Sequence, residues 1–296
     1  MNRPNLIATM ARRFGLTSKV LISERCYSPF TYNKETLSGR IKQWLLQKHY
    51  PLADAILPNS QGTAEALEKI YGIRSHYHVV RNPTDIAGIR QKASLPVDVA
   101  VDFSRFTFIY AATFRPEKNQ RMLIEAVDAL RDYPFQLLLI GKGELLQEMK
   151  ALVAERKLAD KIQFIDFTNN PYRYMQRSHC FVLPSLSEGF PNVLIESMAL
   201  GLPIVSVDCK TGPRELLAPG TDLDTPIAET SFEKARYGIL TADRSLPSLI
   251  AGMRWALENP ADLQAYIPLE NEKAPDFEIK KVVAEFSTIF DSYLKL

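Results

Sequence analysis

Long apolar runs are missing. Nowhere in the 296 residues do 18 apolar residues follow one another, so no membrane-spanning helix is expected. The opening stretch MNRPNLIATMARRFGL has neither an apolar h-region nor a small-residue cleavage site, and it does not read as a secretory leader. Cysteine is scarce. The three present (Cys26, Cys180, Cys209) are an odd number and are expected to be reduced thiols in a cytoplasmic compartment. Four histidines (His49, His76, His78, His179) are not spaced with other ligands as a zinc site requires, so no metal is expected and a structural role is assigned to His76 and His78. No Ser-His-Asp constellation stands out. No G-x-G-x-x-G follows a strand, which argues against a dinucleotide oxidoreductase. Neither sign of charge dominates: 36 Lys and Arg against 34 Asp and Glu give a net +2. With no recognition motif beside that balance, a nucleic-acid partner is excluded.

What is present is ordinary globular composition, 46% hydrophobic and 24% charged, at a length that suggests two domains. The charge is uneven. Residues 1–50 hold nine cations and two acids (Glu24, Glu35), a net +7. Such a segment could face anionic lipid or a phosphate-bearing acceptor, or form a solvated face balanced by acids elsewhere.

From residue 106 short apolar runs alternate with amphipathic ones. The strands are expected at 106–114, 135–141, 162–167, 179–185 and 203–208. Helices are expected between them, over 119–133, 144–158, 170–178 and 191–200; Leu123, Ala126, Val127 and Leu130 mark the apolar stripe of the first. This β-α-β-α rhythm predicts a parallel sheet covered on both faces, with ligands bound beyond the carboxyl ends of its strands. The first part repeats the pattern more weakly, with strands at 19–24, 53–58 and 76–83 and helices at 39–50 and 63–72. Residues 93–105 read as a tether between domains, and 217–236 as a surface loop. The last 20 residues form an amphipathic helix whose stripe (Ile279, Val282, Val283, Phe286, Ile289, Phe290, Tyr293) must pack on something.

The stretch SLSEGFPNVLIESMALGLPIV (185–205) holds Glu188 and Glu196, eight apart. Pro191 suits a first helical position and Gly201 a C′ position, so a helix runs from about 191 to 200. Its first amides, near Asn192, Val193 and Leu194, point to the sheet's carboxyl edge and suit a phosphate. Gly189 lets backbone approach a ligand, and Glu196, one turn after Asn192, can accept from sugar hydroxyls. That pattern fits a nucleoside diphosphate carrying a sugar. The plainer reading makes Glu188 a helix cap and leaves Glu196 exposed.

With its flanking Gly-Phe-Pro-Asn and Ala-Leu-Gly-Leu-Pro, this stretch resembles the Glu-x7-Glu signature of family 4 (group 1) retaining glycosyltransferases of the GT-B fold. DCKTGPRELL (208–217) resembles the segment that comes next in bacterial members that build surface polysaccharides. The resemblance covers about residues 19–296. It implies that Glu196 binds the nucleotide ribose, and that Glu188, with the backbone of Gly189 and Phe190, holds the donor sugar. Pro191, Asn192 and Val193 would complete the donor site. In ATFRPEKNQ (112–120), Lys118 matches a lysine on the donor diphosphate. Thr113 stands where the family has an arginine, and Arg115 is placed to replace it. The Gly141-Lys142-Gly143 turn recurs in the family near the base. Arg214 and Glu215 read as supporting or helix-start residues.

The resemblance implies two Rossmann-like parallel-sheet domains, the N-terminal one truncated. Residues 1–92 form the partial acceptor-side domain, 93–275 the nucleotide-sugar domain and 276–296 a helix packing back toward the N-terminal domain. The family's glycine-rich opening is not found, and Arg25 stands where many members have a histidine. The implied activity is a hexosyltransferase-type reaction, retaining and without cofactor. It takes a nucleotide diphosphate sugar, a UDP-sugar favoured, and delivers to a glycan or lipid-linked acceptor. The alternative is an inactive truncated relative acting as a nucleotide-binding or scaffold subunit. A partial domain would leave apolar helix faces uncovered, so Trp44, Leu45 and Leu46, with Arg40, Lys42 and Lys48, are expected to touch a partner or the inner face of a membrane.

Overall fold

The computed structural model describes residues 3–25, 35–209 and 211–294. Cys26 and Lys34 lie outside the described residues. The chain falls into two compact units: Met1–Pro83 with Ser187–Phe190 and Ile279–Leu296, and Thr84–Leu186 with Pro191–Glu278.

The first unit holds a two-stranded parallel sheet, β1 (Leu21–Glu24) paired with β2 (Ala55–Pro58) from Leu21–Ala55 to Glu24–Pro58. One of its core clusters gathers Val20, Ile22, Leu46, Tyr50, Ile56 and Leu67. The other gathers Ala55, Leu57 and Val80 with Val282, Phe286, Ile289 and Tyr293 of the last helix, Ile279–Leu294. The stripe read from the sequence therefore packs on the β1–β2 sheet. The strand expected at 76–83 is instead an extended segment with a single bridge, Ile56 to Tyr77, joined to β2 by amides of Ile56, His78 and Val80. His78 reaches the Tyr293 hydroxyl at 3.1 Å, so this histidine is structural. A helix at Arg3–Ala11, not expected from the sequence, packs on the helix Leu37–His49.

The second unit is a seven-stranded sheet. Its strands are β3 (Phe106–Ala111), β4 (Phe135–Ile140), β5 (Ile162–Ile165), β6 (Cys180–Leu183), β7 (Ile204–Val207), β8 (Phe232–Ala235) and β9 (Gly238–Thr241). The order is β5-β4-β3-β6-β7-β9-β8, and only β8 runs antiparallel, to β9. Every residue of β4, β6, β7 and β9 is buried, which is why these strands read as continuous apolar runs rather than alternating ones. Chain order reverses between β3 and β6, and that reversal opens a crevice at the carboxyl ends of these strands.

Four differences from the expected elements have physical causes. The strands end one to three residues earlier than expected, because the chain turns into the loops that carry Thr113, Gly141 and Phe167. Residues 93–105 lie wholly inside the second unit. There the Asp98 carboxylate accepts from Tyr174 and Arg173, and Gln136 donates to the Asp102 carbonyl at 2.7 Å. A helix at Ile86–Ala93 precedes them, capped by the Asp85 carboxylate on the Gly88 amide at 2.8 Å. The expected loop 217–236 closes into β8. Only Ala235 of that strand is buried, so no apolar run announced it.

Arg214 shows what holds this edge. It is buried and donates to Asp208 at 2.7 Å, to Glu233 at 2.9 Å and to Thr221 at 3.4 Å. Burial pushes Asp208 up to about 6, more than its bonds to Arg214 pull it down; Glu233 and Asp243 add to the rise. Arg214, on the short helix Pro213–Leu217, thus ties the end of β7 to β8. Cys180 is a buried free thiol, and Cys209 is buried. Among the described residues, no helix is long and apolar enough to cross a membrane.

Candidate functional site

Three strand-to-helix loops of the second unit converge at the carboxyl ends of β3, β4 and β5. The loop after β3 runs through Thr113, Phe114 and Arg115 into a tight turn, Pro116–Lys118, and Asn119 in the left-handed region at φ 50°. It is pinned on both sides. Gln120 donates to the Thr113 carbonyl at 2.9 Å, the Leu186 amide to the Glu117 carbonyl at 2.9 Å, and Asn119 to the Pro184 carbonyl at 3.2 Å. The Tyr110 hydroxyl donates to the Lys118 carbonyl at 3.1 Å. On this fixed backbone Thr113 and Arg115 are exposed and Lys118 is half-buried.

The loop after β4 packs directly on it. Gly141 and Gly143 have φ of 150° and 156°, and a Cβ would sit 2.0 Å from the Ala112 carbonyl oxygen or 2.4 Å from that of Phe114. The Phe114 amide closes the contact on the Lys142 carbonyl at 3.0 Å. Glycine is required here by a meeting of two backbones. The third loop, after β5, brings Phe167, Thr168 and Pro171. Together the three line a cavity of about 180 Å³ whose walls include Ala112, Thr113, Gly141, Lys142, Phe167 and Pro171. The Lys142 ammonium lies 3.9 Å from the centre of the Phe167 ring, which is 51% exposed.

Next to Pro171, the Tyr172 hydroxyl donates to Glu196 Oε1 at 3.3 Å. Burial raises the Glu196 carboxyl above its ordinary value, against the lowering effect of that bond. Burial, the Glu196 charge and the bond to Glu196 raise Tyr172 to about 12, so it stays a donor at neutral pH. Glu196 is therefore held in place and partly desolvated. The plainer reading, an exposed glutamate, is overturned.

Glu196 sits on the helix Asn192–Ala199, which Pro191 precedes as N-cap at φ −74°, ψ 101°. Pro191 thus stands one place before the first helical position it was expected to fill, and the helix starts one residue later than expected. The Leu194 amide is already donated to the Pro191 carbonyl at 3.0 Å, so it is not one of the outward amides. Asn192 is exposed and Val193 half-buried. At the other end Gly201 is left-handed at φ 61°, as its C′ position demands.

Glu188, Gly189 and Phe190 group with the first unit, whereas Thr113, Arg115, Lys118, Gly141, Asn192 and Glu196 group with the second. A Cβ on Gly189 would lie 2.5 Å from the Arg25 carbonyl oxygen and 3.2 Å from Asn59 Nδ2. Close backbone packing on Arg25 thus gives this glycine a reason of its own. Asn82 donates to the Phe190 carbonyl at 3.4 Å. Arg25 donates to Asn82 at 2.9 Å and to the Val80 carbonyl at 3.0 Å, with its guanidinium 5.6 Å from the centre of the Phe286 ring.

Tyr172, Phe167 and Thr168 were not singled out in the sequence. A tyrosine or phenylalanine in a polar loop gives no signal until the folded chain brings this loop against those after β3 and β4.

Residues 96–268 match the family model described as glycosyl transferases group 1. Over 286 residues, 96% of this chain and 73% of the other, the chain is 32% identical to an N-acetylgalactosamine-N,N'-diacetylbacillosaminyl-diphospho-undecaprenol 4-alpha-N-acetylgalactosaminyltransferase from Campylobacter jejuni. It is 27% identical over 285 residues to an uncharacterized glycosyltransferase from Methanocaldococcus jannaschii, covering 89% of this chain and 70% of that one. In fold it is similar to sucrose-phosphate synthase from Thermosynechococcus elongatus, with a TM-score of 0.78 at 17% identity over 97% of this chain and 70% of that one. Anabaena HepE, solved with UDP-glucose, gives 0.72 at 18% identity over 97% and 75%. These structural neighbours are GT-B proteins, and the likeness speaks for the fold.

Proposed function

The chain belongs to the group 1 glycosyl transferases, and from that we propose that it moves a sugar from a nucleotide diphosphate sugar to a lipid-linked or glycan acceptor during surface polysaccharide synthesis. Glu196 accepts from the ribose hydroxyls. The cavity beside it takes the base, with a UDP-sugar favoured. Lys118 and Arg115 face the diphosphate, and Glu188 with the backbone of Gly189 and Phe190 orients the hexosyl group. The bond from the sugar's anomeric carbon to the phosphate oxygen breaks, and the acceptor oxygen bonds to that carbon on the same face, retaining configuration. The hydroxyl proton leaves with the nucleoside diphosphate. The Lys118 ammonium stabilises the charge that grows on the departing phosphate.

One observation carries this reading. The carboxylate of Glu196 is desolvated and held by Tyr172, next in the chain to the loop that lines a cavity at the carboxyl ends of β3, β4 and β5, the edge at which open α/β sheets bind ligands. The relatives support the rest. The Campylobacter protein is named for an undecaprenol-diphosphate acceptor, a Salmonella typhimurium relative is a lipopolysaccharide galactosyltransferase, and HepE was solved with UDP-glucose. A lipid-linked acceptor places the reaction at the inner face of a membrane.

Calorimetry with UDP, GDP, ADP and dTDP tests the donor site. UDP is expected to bind, and Glu196→Ala and Lys118→Ala to weaken it at least about tenfold each, the loss of one charged hydrogen bond. Failure of all four nucleotides to bind would sink the reading.

A further inference from the structure

The helix Leu37–His49 is inside out. Its buried side holds Gly39, Gln43 and His49 beside Leu46, while Leu37, Ile41 and Trp44 stand 66%, 51% and 54% exposed. The exposed three fall at i, i+4 and i+7, on one face. Leu46 thus belongs to the core and not to the outward face on which the sequence had placed it. Arg40 and Lys48 share that face, and the Lys48 ammonium lies 4.5 Å from the centre of the Trp44 ring. In the segment whose helix packs on this one, Ile7 and Phe14 are also 68% and 84% exposed. Besides burial, the cations Arg13 and Lys48 hold His49 below its usual value. Among the described residues up to Tyr50 the acids are Glu24, which is buried, and Glu35.

Folding gives no reason for this arrangement, since burying the outward side chains would stabilise the unit more than exposing them. An interface core between proteins is depleted of charge, and a second copy would set cations against cations. Aliphatic and aromatic side chains alternating with Arg and Lys on one helix face suit a bilayer surface. There the rings and chains enter the boundary between headgroups and acyl chains, and the cations extend to the phosphates.

We propose that the face carrying Leu37, Arg40, Ile41, Trp44 and Lys48 docks on an anionic lipid bilayer. It names where a lipid-linked acceptor is met, and in that respect rests on the proposed transferase function. The lipid contact is measured without donor or acceptor, so the two fail separately.

The chain has two tryptophans, so in the full-length Trp255→Phe variant Trp44 reports alone. Vesicles of equal parts phosphatidylglycerol and phosphatidylcholine are expected to shift its emission to shorter wavelength and to sediment the protein. Phosphatidylcholine alone should do so far less, and added salt should release it. Arg40→Gln and Lys48→Gln should each lower partitioning about fivefold. Leu37→Asp with Ile41→Asp should lower it by more than about tenfold, with circular dichroism and UDP binding unchanged. An unshifted Trp44 with no sedimentation would overturn the proposal, as would partitioning indifferent to these substitutions. A shift that tracks protein concentration without lipid would assign the face to a second copy instead.

Discussion

Two helices of similar length obey opposite rules. In Gln120–Ala129 of the second unit, Met122, Leu123, Ile124, Ala126 and Val127 are buried, and Arg121 faces solvent. In Leu37–His49 of the first, Gln43 and His49 are buried, and Leu37, Ile41 and Trp44 face out. The first helix is explained by the sheet it covers. The second is not explained by its own unit, whose sheet has two strands against the other's seven. An apolar stripe thus says that a face needs company, without saying whether the company is the protein's own core.

If the second unit is held by internal contacts, breaking one of its buried polar pins should have the largest effect. Arg214→Met leaves Asp208 and Glu233 together without their cation, at a cost of about 3–5 kcal/mol in urea unfolding at neutral pH. A loss near zero would mean that β8 is not needed to hold this edge.

Glu270 offers a pH test of the same unit. It is fully buried, neither carboxylate oxygen has a hydrogen-bond partner among the described residues, and burial raises its pKa well above the ordinary value. The folded chain therefore keeps a proton that the unfolded chain sheds above about pH 4.3. Stability from this group falls as pH rises from there through the folded pKa, by up to about 1.4 kcal/mol per pH unit. Glu270→Gln should flatten the decline between pH 5 and pH 8. An unchanged slope would mean that the carboxyl finds water or a cation.

A smaller effect is expected at Tyr172→Phe. It removes one bond from Glu196, so UDP affinity should fall by a few-fold, of order 1 kcal/mol. Because that bond lowers the Glu196 pKa, its loss should also move the acidic limb of UDP binding to higher pH. A change in affinity without that move would leave Tyr172 a packing residue only. The smallest effect belongs to the first unit. Ile41→Asp should change unfolding free energy by no more than about 0.5 kcal/mol, as at other exposed sites. A large loss would show that this face already has a partner within the chain, and the contrast between the two helices would disappear.

Much of the second unit could be read from the chain. Its strands are runs buried on both faces, and a run such as FQLLLI has few other places to go. The first unit was less legible. Its 76–83 segment alternates like a strand but makes a single bridge. At the candidate site the acid was marked by its motif, whereas Tyr172 and the Lys142–Phe167 pair were not, because they depend on loops far apart in sequence meeting.

The sequence by itself determined the β-α-β rhythm, a helix over about 191–200 with its Gly201 stop, and the position of Glu196 upon it. Hydrophobic period, capping and glycine conformation are local, and local chemistry is written in neighbouring residues. Only the tertiary structure decided the strand order that opens the crevice, the backbone contact that demands Gly141, and the bond that holds Glu196. It also decided which apolar side chains of Leu37–His49 are left in water. Those outcomes depend on contacts between distant segments, and burial is a property of the packed whole.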